Sequence, residues 1–274
     1  MKNSLSLLFI AMLFFTACKK NATNQPKSQS VLLSKIIYAT PNASNYGQTA
    51  IEFVYNGTQL TKAICYAYSA TVTQTANFSY NSQGQPNVIT FDYSPAPFEN
   101  SGFDSMAVFS YNGNVIDSMN VTNATLTPFG SSQENVNYTF TYLNNNLINW
   151  SVPTHVDHNY TFDANGNNIE ETYITHDPNN DIIETTNNIT FDNHPAIAQS
   201  IPYWKYFITN PYYYSFLLYT PFGTNNVVTS VVQEGANTYN VAYSYEYNSY
   251  GYPSEVTVNG FTSSFSYQFE YITN

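Results

Sequence analysis

Residues 239–253 read YNVAYSYEYNSYGYP, and this stretch decides the fold. Every odd position from Tyr239 to Tyr247 is Tyr or Val, and every even one is Asn, Ala, Ser or Glu. A period of two is that of a β-strand with one face buried. The run then breaks into Asn248-Ser249-Tyr250-Gly251-Tyr252-Pro253. There the Asn side chain closes an Asx-type turn, Gly supplies a positive φ, and the chain returns as the next strand.

The same unit recurs along the chain. Phe78-Ser79-Tyr80-Asn81 leads into Gly84, and Tyr160-Thr161-Phe162-Asp163 leads into Gly166. Shorter copies are Phe53-Val54-Tyr55-Asn56-Gly57 and Phe109-Ser110-Tyr111-Asn112-Gly113. Further alternating runs are Tyr138 to Tyr142 and Phe265 to Tyr271, and no long stretch keeps helical spacing. The expected body is therefore all-β, an antiparallel hairpin meander of roughly 12–16 strands. It is expected to curve into a closed or nearly closed barrel, since closure removes the edges a long sheet must protect. A two-sheet β-sandwich is the alternative.

Aromatic-x-Tyr/Phe-Asp/Asn-x-x-Gly resembles the YD (RHS-type) repeat. The order of features also resembles a family of Bacteroidota envelope lipoproteins whose fold is described as porin-like. The features are Phe15-Thr16-Ala17-Cys18, the hairpin repeats, Thr190 to Pro195, Phe222 to Val228 and Tyr245 to Val258. The family's activity is not established, so the resemblance implies a fold and a location only.

The N-terminal residues read as an address. Met1-Lys2-Asn3 is a short positive start, and Leu5 to Phe15 is an apolar run too short to span a bilayer. Residues 1–17 are expected to be a lipoprotein signal peptide. The resemblance to a lipobox implies that Cys18 carries the lipid and anchors the chain to the outer membrane, in either leaflet. Phe15 departs from the usual Leu of that motif. Residues 18–30 are polar and read as a flexible tether. Residues 31–274 read as one all-β domain. Cys65 then has no cysteine to pair with, and lies on a strand pattern as a small buried residue.

Composition excludes several functions. Only 9% of residues are charged, all seven cations are Lys, and three of them lie beyond residue 30. All 18 acids lie there too. So few cations cannot neutralise a phosphate backbone, which rules out nucleic acid as a partner. A lipid-spanning wall is excluded on different grounds. Its outward face would be aliphatic in the middle, whereas the faces formed here by Tyr239, Tyr243, Tyr245 and Tyr247 carry hydroxyls throughout.

Candidate sites are few. No nucleophile elbow, phosphate loop or dinucleotide fingerprint occurs, and no catalytic residue is assigned. His155 and Asp157 share a strand face with His158 opposite, but no metal is expected there. Asp163 to Asn167 and Asp177 to Asp181 echo the start of a calcium loop, a weak signal that the hairpin turn explains for the first. No other cofactor is implied. Acids such as Asp157, Glu170 and Glu184 could serve a hydrolase only if the fold brought them together. One region breaks the alternation, an aromatic, Pro-rich insertion at about 194–223. We expect it to hold a short helical turn and to pack over or into the sheet. Its rings Tyr203, Trp204, Tyr206, Tyr212, Tyr213 and Tyr214 are the candidate ligand site, for a glycan or an apolar molecule. The expected function is a non-enzymatic binding module; a structural envelope protein is the bland alternative.

Overall fold

The structure is a computed structural model and describes residues 30–66, 73–94, 105–125, 132–143, 146–152, 155–176, 181–201, 223–260 and 264–274. Cys18 and the six rings from Tyr203 to Tyr214 lie outside the described residues. The chain divides at Ser30/Val31, and Val31–Asn274 forms one compact unit.

Sixteen strands close into a barrel. They are β1 Val31–Tyr38, β2 Thr49–Asn56, β3 Gln59–Cys65, β4 Thr73–Tyr80, β5 Pro86–Ser94 and β6 Ser105–Asn112. Next come β7 Val115–Thr125, β8 Ser132–Leu143, β9 Asn146–Val152, β10 Val156–Phe162 and β11 Asn168–Thr175. The last are β12 Ile182–Pro195, β13 Asn225–Glu234, β14 Asn237–Tyr247, β15 Pro253–Asn259 and β16 Phe265–Thr273. Each pairs antiparallel with its neighbour in sequence, and β16 pairs with β1, from Val31 opposite Thr273 to Tyr38 opposite Tyr267. The meander and its closure are as the alternation predicts, and the sandwich alternative is not adopted.

The alternation sorts the wall. On β14, Val241 and Tyr243 are buried while Ala242, Ser244 and Glu246 are exposed. On β8, Val136 and Tyr138 are buried while Asn135, Asn137, Thr139 and Thr141 are exposed. The buried face points inward and makes one continuous core from Leu33 and Ile36 round to Phe269. A 16-strand wall of round section leaves an aqueous channel. Here the inward faces carry apolar side chains that form one buried cluster. Apolar-in and polar-out is the reverse of a lipid-spanning barrel.

The repeat turns all lie at one rim. In three of them the leading Asx oxygen accepts two backbone N–H groups in the same way. Asn81 Oδ1 accepts from Gln83 and Gln85, both at 3.0 Å. Asp163 Oδ1 accepts from Asn165 and Asn167, both at 2.8 Å, and Asn248 Oδ1 from Tyr250 and Tyr252 at 2.9 and 3.1 Å. Gly84, Gly166 and Gly251 follow at φ +77, +82 and +82.

A second regularity explains the Tyr of each unit. The odd strands begin with a bulge against the strand before them, which leaves a carbonyl outside the ladder. A Tyr on the following strand donates to it. Tyr55 donates to Leu33 O at 2.7 Å, Tyr245 to Val227 O at 2.9 Å and Tyr271 to Pro253 O at 2.6 Å. Tyr80 and Tyr111 do the same to the carbonyls of Leu60 and Pro86.

Candidate functional site

The insertion leaves the turn rim at the end of β12. Pro195 ends the strand and Ala196 stays extended, so the chain turns inward into a 3₁₀ turn, Ile197–Ser200. Ala196, Ile197, Ala198, Ser200 and Ile201 are buried, and Ile197 and Ile201 join the barrel core. A helical turn packed into the sheet is what the sequence predicts for this segment.

The chain comes back at Gly223, and the two feet are tied together. Ala196 N donates to Thr224 O at 3.0 Å, Gln199 Nε2 to Gly223 O at 3.2 Å and Asn225 Nδ2 to His194 O at 3.2 Å. These bonds form a neck that joins the described residues on either side of 202–222.

Repeat turns clamp the neck from both sides. From the β10–β11 turn, Asn167 Oδ1 accepts from Asn225 N at 2.9 Å, and Asn165 O accepts from Thr224 Oγ1 at 3.0 Å. A Cβ at Gly166 would stand 3.0 Å from that hydroxyl, so a side chain there would press on the foot. From the β14 side, the Tyr247 ring stacks on His194 with centroids 3.8 Å apart. Its hydroxyl donates to Asp192, whose other oxygen accepts from His194 N at 2.8 Å. Burial and the neighbouring Asp192 carboxylate both push the Tyr247 hydroxyl well above the ordinary phenol range. The feet are therefore set by groups that belong to the barrel, which is how a rigid scaffold positions a loop.

A second polar feature lies inside the wall toward the opposite rim. Trp150, His158, Tyr173, Glu184 and Glu234 face inward in register on five adjacent strands, β9 to β13. His158 is buried and its Nε2 lies 2.5 Å from Oε1 of buried Glu171. Its ring stacks on Tyr160 at 4.5 Å and meets Trp150 and Tyr173 at 5.2 Å. Trp150 Nε1 donates to Tyr160 Oη at 3.0 Å. Half-buried Glu184 is raised above the ordinary carboxylate value by burial first, then by Glu171 and Glu234. Parity already hints at this arrangement, because His158 shares a face with Tyr160 and Glu171 with Tyr173. What sequence reading lacks is the register that places β10 against β11.

The hydrolase acids do not converge. Asp157 and Glu170 lie on the outer face, and Glu184 lies on the inner one. Glu170 and Glu171 do point to opposite faces, as adjacent strand residues must. Asp157 instead meets His176, whose Nε2 lies 2.9 Å away, while its Nδ1 lies 3.3 Å from Asp181. The two acids take opposite ring nitrogens, so a single ion could not join all three. Among the described residues no group of three or more His, Cys, Asp or Glu is placed to hold a metal. Asp163 serves its turn, and of the second calcium-like stretch residues 177–180 lie outside the described residues. Cys65 is buried on β3.

The chain matches no family model and no curated protein. It is similar to two crystal structures of porin-like proteins, one from Bacteroides vulgatus ATCC 8482 and one from Bacteroides uniformis ATCC 8492. The first is 15% identical with a TM-score of 0.39, covering 89% of this chain and 99% of the other. The second is 14% identical with a TM-score of 0.39, covering 88% and 98%.

Proposed function

We propose that this chain is a non-enzymatic binding module of the cell envelope, tethered to the outer membrane through a lipid on Cys18. Its barrel stands in water and holds the aromatic insertion, with Tyr203, Trp204, Tyr206, Tyr212, Tyr213 and Tyr214, toward a glycan or an apolar ligand. The observation that carries this reading is the direction of the wall. Asn, Thr and Ser face outward along β8 and β14 while Ile, Phe and Tyr fill the interior. Such an outer face would strand hydroxyls and amides in hydrocarbon, at a cost of several kcal/mol per unsatisfied group. A barrel of this polarity needs another attachment to stay at a membrane, and the lipobox-like Phe15 to Cys18 offers one. The clamped neck supports binding, since feet fixed in advance reduce the ordering cost of capture. The YD-like repeat is, in this reading, the hairpin unit that builds the wall.

Labelling cells with an alkyne fatty acid should tag the wild type and leave Cys18→Ala untagged. Replacing residues 1–18 with a cleavable secretory leader should release the protein into buffer without detergent. A released form that still demands detergent would place the barrel in the bilayer and end this reading.

A further inference from the structure

We propose that His176 is a proton-operated latch at the irregular rim: as an imidazolium it ties the start of β12 to β10, and on losing a proton it keeps Asp157 and releases Asp181. This goes beyond the binding reading above and does not depend on it.

The geometry at the ring gives the first observation. His176 follows the last residue of β11, and its backbone N–H donates to His155 O at 2.8 Å, which fixes the root of the side chain beside β10. Its Nε2 lies 2.9 Å from Asp157 Oδ2 and its Nδ1 3.3 Å from Asp181 Oδ2. Only an imidazolium donates from both nitrogens. A neutral ring keeps one N–H and turns a lone pair toward the other carboxylate, so deprotonation breaks one of the two bonds. The ring is raised above the ordinary imidazole value, first by Asp157 and further by Asp181, in keeping with a site built for the charged form.

The sheet decides which bond breaks. Asp157 sits inside the ladder, with Ile174 opposite on β11 and Ser151 opposite on β9, so it cannot withdraw. Asp181 precedes the first residue of β12 and has the longer contact. On the far side, β13 reaches the end of its pairing at Glu234, opposite Glu184. Ile182 and Ile183 project past it and pair with β11 alone, as partners of Thr175 and Ile174. Packing adds little, because these two side chains are 59% and 50% exposed. The Asp181 contact therefore closes a strand end that is held along one edge, and its loss lets that end fray.

The other charges nearby do not replace it. Glu184 and Glu234 face the interior, on the opposite side of the wall. His155 meets His176 through its backbone carbonyl. Asp177 is adjacent to His176 in sequence and lies outside the described residues, so it enters the test as a variant.

The test follows hydrogen exchange of a peptide spanning Asp181 to Thr186 in the full chain, corrected for the intrinsic rate, from about pH 5 to about pH 9. Protection should fall about tenfold across that range, while a peptide spanning Tyr138 to Tyr142 keeps its own. Asp181→Ala should show the alkaline level at every pH, and His176→Gln should be flat. Asp177→Ala should keep the wild-type response. Nitrogen-15 NMR of the His176 ring should show two N–H groups at the acid end and the Nε2–H tautomer at the alkaline end. Exchange in the wild type that does not change with pH overturns the latch, as does a response that survives Asp181→Ala or vanishes in Asp177→Ala. An Nδ1–H tautomer at the alkaline end would make Asp157 the acid released, and would overturn the proposal on its own.

Discussion

The two rims of the barrel are built on different terms. At one rim, Asn81, Asp163 and Asn248 close their turns with the same pair of backbone bonds, and the Gly that follows has the same φ within a few degrees. At the other, connections differ from one another. The β13–β14 turn is two residues, Gly235 and Ala236, while Ala39 to Gln48 joins β1 to β2 through several turns. His176, Asp181, Glu184 and Glu234 lie toward the irregular rim, while Asp163 and Asp192 at the regular rim accept backbone N–H groups. The repeat thus fixes a turn and the strands on either side of it, and leaves the far ends open to change. The insertion breaks the rule by interrupting the regular rim, and that is where the barrel spends Asn167, Tyr247 and Asp192 on holding something up.

Substitutions can break this contrast, and the largest effect should come from the irregular rim. A Cβ on Gly260 would stand 2.0 Å from Asn240 O, at φ +131. Gly260→Ala should cost about 3 kcal/mol or more, read by urea unfolding, because backbone must move. Gly84→Ala at the regular rim meets nothing within 4 Å and should cost only about 1 kcal/mol of backbone strain. If the two cost the same, the rims do not differ in tightness.

Asp163→Ala should come next, at about 2 kcal/mol, through two lost backbone hydrogen bonds. It should also loosen the neck, since Asn165 and Asn167 hold Thr224 and Asn225. Hydrogen exchange at Asn225 should quicken in this variant and stay unchanged in Asn81→Ala. Equal exchange in both would detach the turn from the neck. Tyr245→Phe should cost about 1 kcal/mol by leaving Val227 O without its donor. A neutral result there would mean that water replaces the hydroxyl.

The smallest effects are in pH, and their signs differ between the rims. His176 is raised above the ordinary imidazole value by its hydrogen bond to Asp157, with Asp181 adding to it. Its contribution is full below that ordinary value of 6.5 and is lost as pH rises through the raised one. Glu184 has the same sign, full below 4.5 and lost as pH rises. Asp163 runs the other way. Burial pushes it up, but N–H groups of Asn167 and Asn165 hold it below 3.8, so its contribution is lost as pH falls. Melting temperature followed from pH 3 to 8 should flatten at the alkaline end in His176→Gln and at the acid end in Asp163→Asn. The exchange of those two outcomes would contradict the assignment.

Much of this was legible in residues such as Tyr239 to Pro253, where alternation and turn chemistry are both local. Local signals give strand, face and turn, and consecutive hairpins then leave few ways to close. The bulge carbonyls were not legible, because Leu33 and Pro253 are freed only by a register shift between strands. Nor was the pairing of His158 with Glu171, which needs β10 laid against β11. The neck joins Asn167 to Asn225 across 58 positions, and nothing near either residue announces the other.

The tied feet also bear on how such a chain can diversify. Ala196 meets Thr224 and Gln199 meets Gly223, so the described residues on either side of 202–222 are joined to each other. Lengthening a loop whose ends are held costs little, roughly 0.6 kcal/mol per doubling. A segment of another length can therefore be grafted between the same two ends while the sixteen strands keep their pairing.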